Sequence, residues 1–163
     1  MTIPKSCGYI AQGGGEMKRL LTQNLIEWKR SADRKPLIVQ GVRQCGKTYL
    51  IKEFGLQNYK EVVYVNFEEK DEYGAIFENG LKPYRIIEDL SLMFNADVNP
   101  EDTLIFFDEI QLCGRAVTSL KYFCEDAPEY HVIAAGSLLG VALSEKTSFK
   151  RLGSFERRIN IFA

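Results

Sequence analysis

Apolar and polar positions follow two alternating patterns along the chain. Four short stretches are apolar at nearly every position and rich in β-branched or aromatic residues, which is typical of buried strands. Between them, apolar residues recur every three or four positions, as on one face of an α-helix. The predicted strands are LIVQ from Leu37, EVVYVNF from Glu61, TLIFF from Thr103 and HVIAAGS from His131.

The helical spacing predicts four helices. The first covers residues 17–29, and the second follows the first strand and has Gly55 as its candidate end. The third and fourth are centred on residues 86–94 and 116–124. Strands that are apolar on both faces and separated by helices indicate an α/β domain with a parallel sheet covered on both sides.

Ligands bind at the carboxyl ends of the strands in sheets of this kind. We therefore expect the ends of the first, third and fourth strands to form one functional rim. Ser137 ends the fourth strand at this rim and is a candidate ligand contact, although a simple turn residue explains it nearly as well. His131 opens the same strand at the opposite end, so we assign it no catalytic role.

The composition is that of one folded domain, with 163 residues, 45% hydrophobic and 26% charged. No apolar run approaches the roughly 18 to 20 residues that cross a bilayer, and no signal peptide opens the chain. We expect a cytoplasmic protein without membrane association. The four cysteines lack the paired spacing of a zinc site, so we expect reduced thiols.

The charge is unevenly distributed although the net charge is only −1. Residues 1–60 carry an excess of Lys and Arg, and residues 61–130 an excess of Asp and Glu. A basic first third would attract a polyphosphate or a nucleic acid. Because aromatic residues do not interleave with the basic ones as in a base-stacking surface, solvated helix faces explain the pattern more simply.

A glycine-rich loop follows the first strand and matches G-x-x-x-x-G-K-[ST], the phosphate-binding loop. Its glycines let backbone N–H groups approach phosphate oxygens, and the following helix adds its positive end. Lys47 is predicted to reach the β- and γ-phosphates and Thr48 to ligate Mg²⁺. The predicted nucleotide-binding residues are Gly41, Val42, Arg43, Gln44, Cys45, Gly46, Lys47, Thr48 and Tyr49.

Two acidic residues end the third strand. Asp108 is predicted to contact the metal, usually through its water shell, together with Thr48. Glu109 is predicted to orient and deprotonate the attacking water. An acidic pair also occurs where a strand simply leaves the core, so this interpretation depends on the loop sixty residues earlier. The predicted catalytic residues are Glu109, Lys47 and Ser137, with the Ser137 hydroxyl beside the γ-phosphate or the lytic water.

The combination of GVRQCGKT, FFDEIQ and AAGSLLG resembles the AAA-domain ATP-binding proteins of bacteria and archaea, predicted members of the AAA+ ATPase superfamily. The resemblance covers about residues 18–143. In that family the first two motifs are the Walker A and Walker B elements, and Ser137 matches the polar sensor position. The resemblance implies ATP as ligand and a three-layer P-loop NTPase fold (AAA+/RecA-like) with the strand order 5-1-4-3-2.

The resemblance weakens after residue 143. Family members continue through a further strand, a helical lid and a C-terminal domain, for which too few residues follow. We therefore expect a truncated chain that lacks the lid and the C-terminal domain. The predicted segments are a flexible tail (1–16, with Met17 as an alternative start), a P-loop ATPase domain (17–145) and a divergent C-terminal tail (146–163).

The leading functional hypothesis is an ATPase that slowly hydrolyses the β–γ bond to drive a conformational change. A switch or truncated remnant that binds ATP without turnover is the main alternative. A small-molecule kinase is a third reading, which fits less well because the Asp-Glu pair suits water activation. The absence of Asn-Lys-x-Asp argues against a GTPase. The family implies self-association, and a nucleic acid or protein partner is left open.

Overall fold

The computed structural model describes residues 14–42, 44–137 and 157–161, which form a parallel sheet with helices on both faces. The strands are β1 (Leu37–Gly41), β2 (Glu61–Asn66), β3 (Thr103–Asp108), β4 (His131–Gly136) and β5 (Arg157–Ile161). The helices are α1 (Gly14–Arg30), α2 (Lys47–Asn58), α3 (Glu72–Ala75), α4 (Pro83–Phe94) and α5 (Gly114–Asp126). None of these helices is long and apolar enough to cross a bilayer.

The strand order is β2-β3-β4-β1-β5, and every neighbouring pair is parallel. Read from the other edge, this is the order 5-1-4-3-2 that the family resemblance implies. The central strands β3 and β4 are buried along their whole length, whereas the edge strand β2 is buried only at alternate positions. The predicted α/β fold with a parallel sheet is therefore confirmed.

The sheet separates two apolar cores, which gives the domain three layers. Helices α1 and α2 cover one face. Trp28 of α1 and Ile51 of α2 are fully buried there, in the same apolar cluster as Phe106 of β3. Helices α4 and α5 cover the other face around Phe107. Since side chains alternate along a strand, Asp108 follows Phe106 to the side on which α2 lies.

Helix α2 does not end at Gly55, and that expectation is wrong. The helix continues to Asn58, and Gly55 is buried within it. A Cβ atom at Gly55 would lie 2.9 Å from Cγ2 of Val62 and 3.0 Å from Cδ2 of Leu104. The glycine therefore serves close packing of the helix against β2 and β3 rather than termination.

Two elements extend into segments that the sequence analysis treats as tails. Helix α1 begins at Gly14, three residues before Met17, and β5 lies within residues 146–163, where it pairs with β1. The expectation that too few residues remain for a further strand is therefore wrong, because five residues suffice to pair along the edge of β1. Arg43 and the predictions for residues 1–13 and 138–156 lie outside the described residues. The division into a tail, a domain over 17–145 and a C-terminal tail stays a prediction.

Candidate nucleotide-binding site

The loop between β1 and α2 turns the chain from the sheet into a helix N-terminus. Gly46 is the N-cap of α2 and has φ 84°, in the left-handed region that glycine adopts without strain. The first N–H groups of a helix have no acceptor within the helix, and a glycine cap supplies no side-chain oxygen for them. The start of α2 is therefore suited to bind an anion.

Lys47 turns its side chain back into the loop and is only 6% exposed. Its Nζ donates to the carbonyl oxygens of Gly41 at 3.1 Å and Val42 at 2.7 Å. Its third neighbour is the Sγ atom of Cys45 at 3.5 Å, a weak acceptor. The ammonium group is thus held at the centre of the loop with one of its three donors poorly satisfied.

Asp108 and Thr48, the two residues predicted to bind a metal, lie within hydrogen-bonding distance of each other. Asp108 is 3% exposed, and its Oδ2 accepts a hydrogen bond of 2.7 Å from the Thr48 hydroxyl. The Tyr64 hydroxyl donates to the same oxygen at 2.9 Å, and the Glu109 N–H donates to Oδ1 at 3.0 Å. Three donors therefore satisfy a carboxylate that is almost fully buried.

Tyr64 of β2 is a site residue that the sequence analysis missed. Burial raises the pKa of its hydroxyl, and the neighbouring Asp108 charge raises that pKa further. The hydroxyl therefore stays protonated and serves as a donor. The Lys52 ammonium lies 3.5 Å from the centroid of the Tyr64 ring, which places a second lysine beside the phosphate loop.

Glu109 has a left-handed backbone (φ 50°) and borders a cleft beside the phosphate loop. Its Oε2 accepts a 2.5 Å hydrogen bond from Nε2 of Gln111, another residue that the sequence analysis missed. The cleft has a volume of about 440 Å³, which falls within the range of small-molecule sites. Its lining residues are Gln44, Cys45, Gly46, Lys47, Thr48, Tyr49, Lys52 and Glu109.

Ser137 follows β4 directly, and Gly136 pairs with Gln40 at the end of β1. Its backbone is therefore placed beside the start of the phosphate loop. The side chain is half-buried and takes no part in the hydrogen bonds that join Lys47, Thr48 and Asp108. Its predicted role beside a γ-phosphate stays a prediction.

His131 lies at the opposite end of the sheet from this cleft. It is buried, and a 2.6 Å hydrogen bond joins its Nδ1 to the hydroxyl of Tyr59. Burial, assisted by the charges of Arg34 and Lys29, lowers its pKa to about 4. The ring also packs edge-on against Trp28, with 5.8 Å between the centroids. These contacts make His131 a neutral part of the core.

The oxygen atoms of Thr48 and Asp108 fit Mg²⁺, a hard cation that binds through one or two protein oxygens plus waters and phosphates. Among the described residues, no group of three His, Cys, Asp or Glu side chains forms a metal cage. Among the described residues, Cys45, Cys113 and Cys124 are unpaired. The site therefore suits a cation that arrives with a phosphate ligand.

Tyr64 and Lys52 left only a weak signal in the sequence. Tyr64 is a polar aromatic residue at an alternate position of a predicted strand, and Lys52 lies five residues after Lys47 on a predicted helix. Either pattern also fits an ordinary solvent-facing position. Gln111 ends the motif FFDEIQ, but nothing local to the sequence indicates that its amide faces Glu109.

Comparison with known proteins adds a sequence match and several structural matches. A family model described as an AAA domain matches residues 33–156. None of the curated proteins compared with the chain matches it. In three dimensions the chain is similar to the Aeropyrum pernix ORC1 protein in complex with DNA, with a TM-score of 0.54 and 16% identity over 90% of this chain and 44% of that one.

Two Drosophila structures are similar as well. The chain matches Drosophila ORC bound to GC-rich DNA and Cdc6 with a TM-score of 0.57 and 15% identity, covering 98% of this chain and 62% of that one. It matches Drosophila ORC bound to DNA with a TM-score of 0.57 and 14% identity, covering 91% and 93%. The chain thus spans less than two thirds of the first two structures. Identities this low show a shared fold alone.

Proposed function

The chain belongs to the AAA domain family, and we propose that it binds ATP with Mg²⁺ in the cleft between the phosphate loop and Glu109 and hydrolyses the β–γ bond slowly. The family generally uses a nucleotide and Mg²⁺. The observation that carries the proposal is the 2.7 Å hydrogen bond between Thr48 and Asp108, which joins the two predicted metal-binding residues at one end of the loop.

Phosphate binding is assigned to the loop and the start of α2. The backbone around Gly46 presents N–H groups, and the Lys47 ammonium lies 2.7 Å from the Val42 carbonyl, within reach of a phosphate placed over the loop. A phosphate oxygen is a stronger acceptor than the Cys45 thiol that now completes its contacts. We therefore assign Lys47 to the β- and γ-phosphates and the loop residues from Gly41 to Tyr49 to nucleotide binding.

Water activation is assigned to Glu109, which lines the cleft opposite the loop. Mg²⁺ bound by Thr48 and Asp108 would neutralise charge that develops on the phosphate oxygens. A carboxylate at this position takes a proton from water in the transition state, which contributes about 10² to 10⁴ in rate. Ser137 is assigned a supporting contact to the γ-phosphate or the water.

A non-hydrolysing switch is the second candidate, and one observation favours it. Gln111 holds Oε2 of Glu109 through a 2.5 Å hydrogen bond, so only one carboxylate oxygen stays unengaged by this pair. If Gln111 keeps Glu109 away from water, the chain binds ATP and changes shape without turnover. Both candidates use the same binding site and differ only in phosphate release.

The experiment compares two variants of the cleft with the wild-type chain. Lys47→Ala should abolish ATP binding, because it removes the only loop ammonium. Glu109→Gln should keep binding, measured by calorimetry, and lower single-turnover phosphate release by about 10² to 10⁴. Lys60→Ala, an exposed lysine paired with Asp102, is the matched control and should change neither measurement.

Unchanged binding in Lys47→Ala together with unchanged release in Glu109→Gln would disprove the proposed site. Wild-type binding with release no faster than that of Glu109→Gln would instead identify the switch. Self-association through the AAA domain is proposed on family grounds alone. The similar ORC structures contain DNA, so a nucleic acid is one candidate partner and a protein is the other.

A further inference from the structure

The Asp108 carboxylate is held from two sides by elements that are far apart in the sequence. From α2, the Thr48 hydroxyl donates to Oδ2 at 2.7 Å. From β2, the Tyr64 hydroxyl donates to the same atom at 2.9 Å. A carboxylate oxygen has about two lone pairs, so these donors occupy Oδ2 fully. From the described part of the chain, Oδ1 accepts a single hydrogen bond, from the Glu109 N–H at 3.0 Å, and keeps a lone pair.

The tyrosine ring is itself fixed in place before any ligand binds. Tyr64 pairs in register with Phe106 of β3, and the two ring centroids are 5.3 Å apart. The Lys52 ammonium lies 3.5 Å from the Tyr64 centroid on a neighbouring helix. Because contacts of this kind restrict the ring, the hydroxyl reaches Asp108 at little further cost in conformational entropy.

These contacts determine which oxygen of Asp108 is presented to a cation. With Oδ2 occupied, the lone pair of Oδ1 is the one left for a metal ion or its water. Thr48 uses its hydrogen on Asp108 and keeps its own lone pairs for the cation. Groups that hydrogen-bond a metal-binding carboxylate typically change metal affinity 10- to 100-fold when they are removed.

We propose that Tyr64 is a positioning residue of the magnesium site, whose hydroxyl fixes the rotation of the Asp108 carboxylate beside Thr48. This inference rests on the proposed function and deepens it, because it adds a β2 residue to a site formed by the loop and β3. Tyr64 contacts the carboxylate and is not among the residues that line the cleft. Its loss should therefore affect Mg²⁺-dependent binding alone.

The test is Tyr64→Phe, which removes one oxygen atom and keeps the ring between Phe106 and Lys52. ATP binding is titrated with Mg²⁺ at a fixed nucleotide concentration and again in EDTA. We expect the half-saturating Mg²⁺ concentration to rise about 10- to 100-fold. Affinity for ATP in EDTA should stay within about twofold of wild type, because the variant removes a contact to Asp108. A tenfold loss of affinity would correspond to about 1.4 kcal/mol of binding free energy.

Tyr59→Phe is the matched control, because it also removes a tyrosine hydroxyl with a hydrogen-bond partner, at the other end of the sheet. It should leave the Mg²⁺ half-point unchanged, and thermal melting of both variants separates any loss of stability. If the wild-type chain binds ATP and Tyr64→Phe has the same half-saturating Mg²⁺ concentration, this inference alone is overturned. No ATP binding by the wild-type chain would overturn the proposed function and the inference with it.

Discussion

Each end of the parallel sheet joins a tyrosine hydroxyl to a buried titratable side chain, yet the surroundings of the two pairs differ. At the amino end, Tyr59 bonds to His131 at 2.6 Å beneath helix α1. At the carboxyl end, Tyr64 bonds to Asp108 at 2.9 Å beside an open cleft. The chemistry of the bond is similar, but its setting differs.

Around the Tyr59–His131 pair at the amino end, the polar groups are neutral or donate to the backbone. Burial lowers the pKa of His131 and raises that of Tyr59, so both stay uncharged near neutral pH. Nearby, Lys29 donates to the carbonyl of Asn58, and Arg34 donates to the carbonyl of Lys29 at 3.0 Å. The Tyr59–His131 pair is therefore part of the core.

The carboxyl end keeps charged groups close together instead. The ammonium of Lys47 and the carboxylate of Asp108 are both nearly buried, and Glu109 lines the same cleft as Lys47. Charges at such a position are costly unless they are paired with other polar groups or with a ligand. The comparison teaches that the hydrogen bond alone does not indicate a functional site, whereas nearly buried charged residues beside a cleft favour one.

The largest effect that should separate the two ends is on stability. Trp28→Ala removes a fully buried side chain whose Nε1 donates to the Lys35 carbonyl at 2.7 Å. We expect the free energy of unfolding in urea to fall by about 3 to 5 kcal/mol. Leu20→Ala on the same helix, where the side chain is 60% exposed, should change it by less than about 0.5 kcal/mol.

Trp28→Phe is a milder variant for the case in which Trp28→Ala does not fold. It tests whether the amino end of the sheet contributes to stability without contributing to ATP binding. ATP affinity, measured at a temperature where the variant is folded, should match that of wild type. A loss of affinity without a loss of stability would contradict the separation of the two ends.

A smaller change in the free energy of unfolding is expected when the pH is lowered. The folded His131 has a pKa of about 4, below its ordinary value of 6.5, so the unfolded chain takes up a proton first as the pH falls. Stability from neutral His131 is therefore complete above pH 6.5 and is lost as the pH falls toward 4. At pH 5 we expect a loss of about 2 kcal/mol relative to pH 7.5.

Urea unfolding of wild type and His131→Gln at both pH values isolates this contribution, because His131 is the sole histidine. Carboxylates titrate in both proteins, so only the difference between them reports on His131. An equal loss of stability in the two proteins on acidification would show that the histidine is protonated without cost.

The smallest effect that we expect concerns the thiol at the rim. Cys45 lines the cleft, and its Sγ lies 3.5 Å from the Lys47 ammonium. Alkylation with N-ethylmaleimide places a bulky group where a phosphate would lie. We expect ATP affinity to fall about tenfold or more, equivalent to about 1.4 kcal/mol, and prior incubation with ATP and Mg²⁺ to slow the modification.

Cys45→Ala is the control for this experiment and should bind ATP with or without alkylation. Two further thiols on or beside α5, Cys113 and Cys124, stay in that variant, and burial raises the pKa of both. Unchanged ATP binding by wild type, with modification of Cys45 demonstrated by peptide mass spectrometry, would show that the thiol does not border the nucleotide.

The sequence alone determined the features that depend on local spacing. The phosphate loop can be predicted from the sequence because Gly41, Gly46 and Lys47 are close together in the chain. The strands can be predicted because burial on both faces makes them continuously apolar. The common rim followed from the rule for parallel sheets, and the structure places Asp108 beside Thr48 there.

Only the tertiary structure decided which distant side chains touch. In the register of β2 against β3, Tyr64 pairs with Phe106, which lies two residues before Asp108 and on the same face of the sheet. A shift of this register by one residue would turn the Tyr64 hydroxyl to the other face. The close approach of α2 to the sheet made Gly55 a packing residue instead of a helix end. Both outcomes depend on how separate elements dock, because side-chain hydrogen bonds form over about 3 Å while local patterns fix positions only along one element.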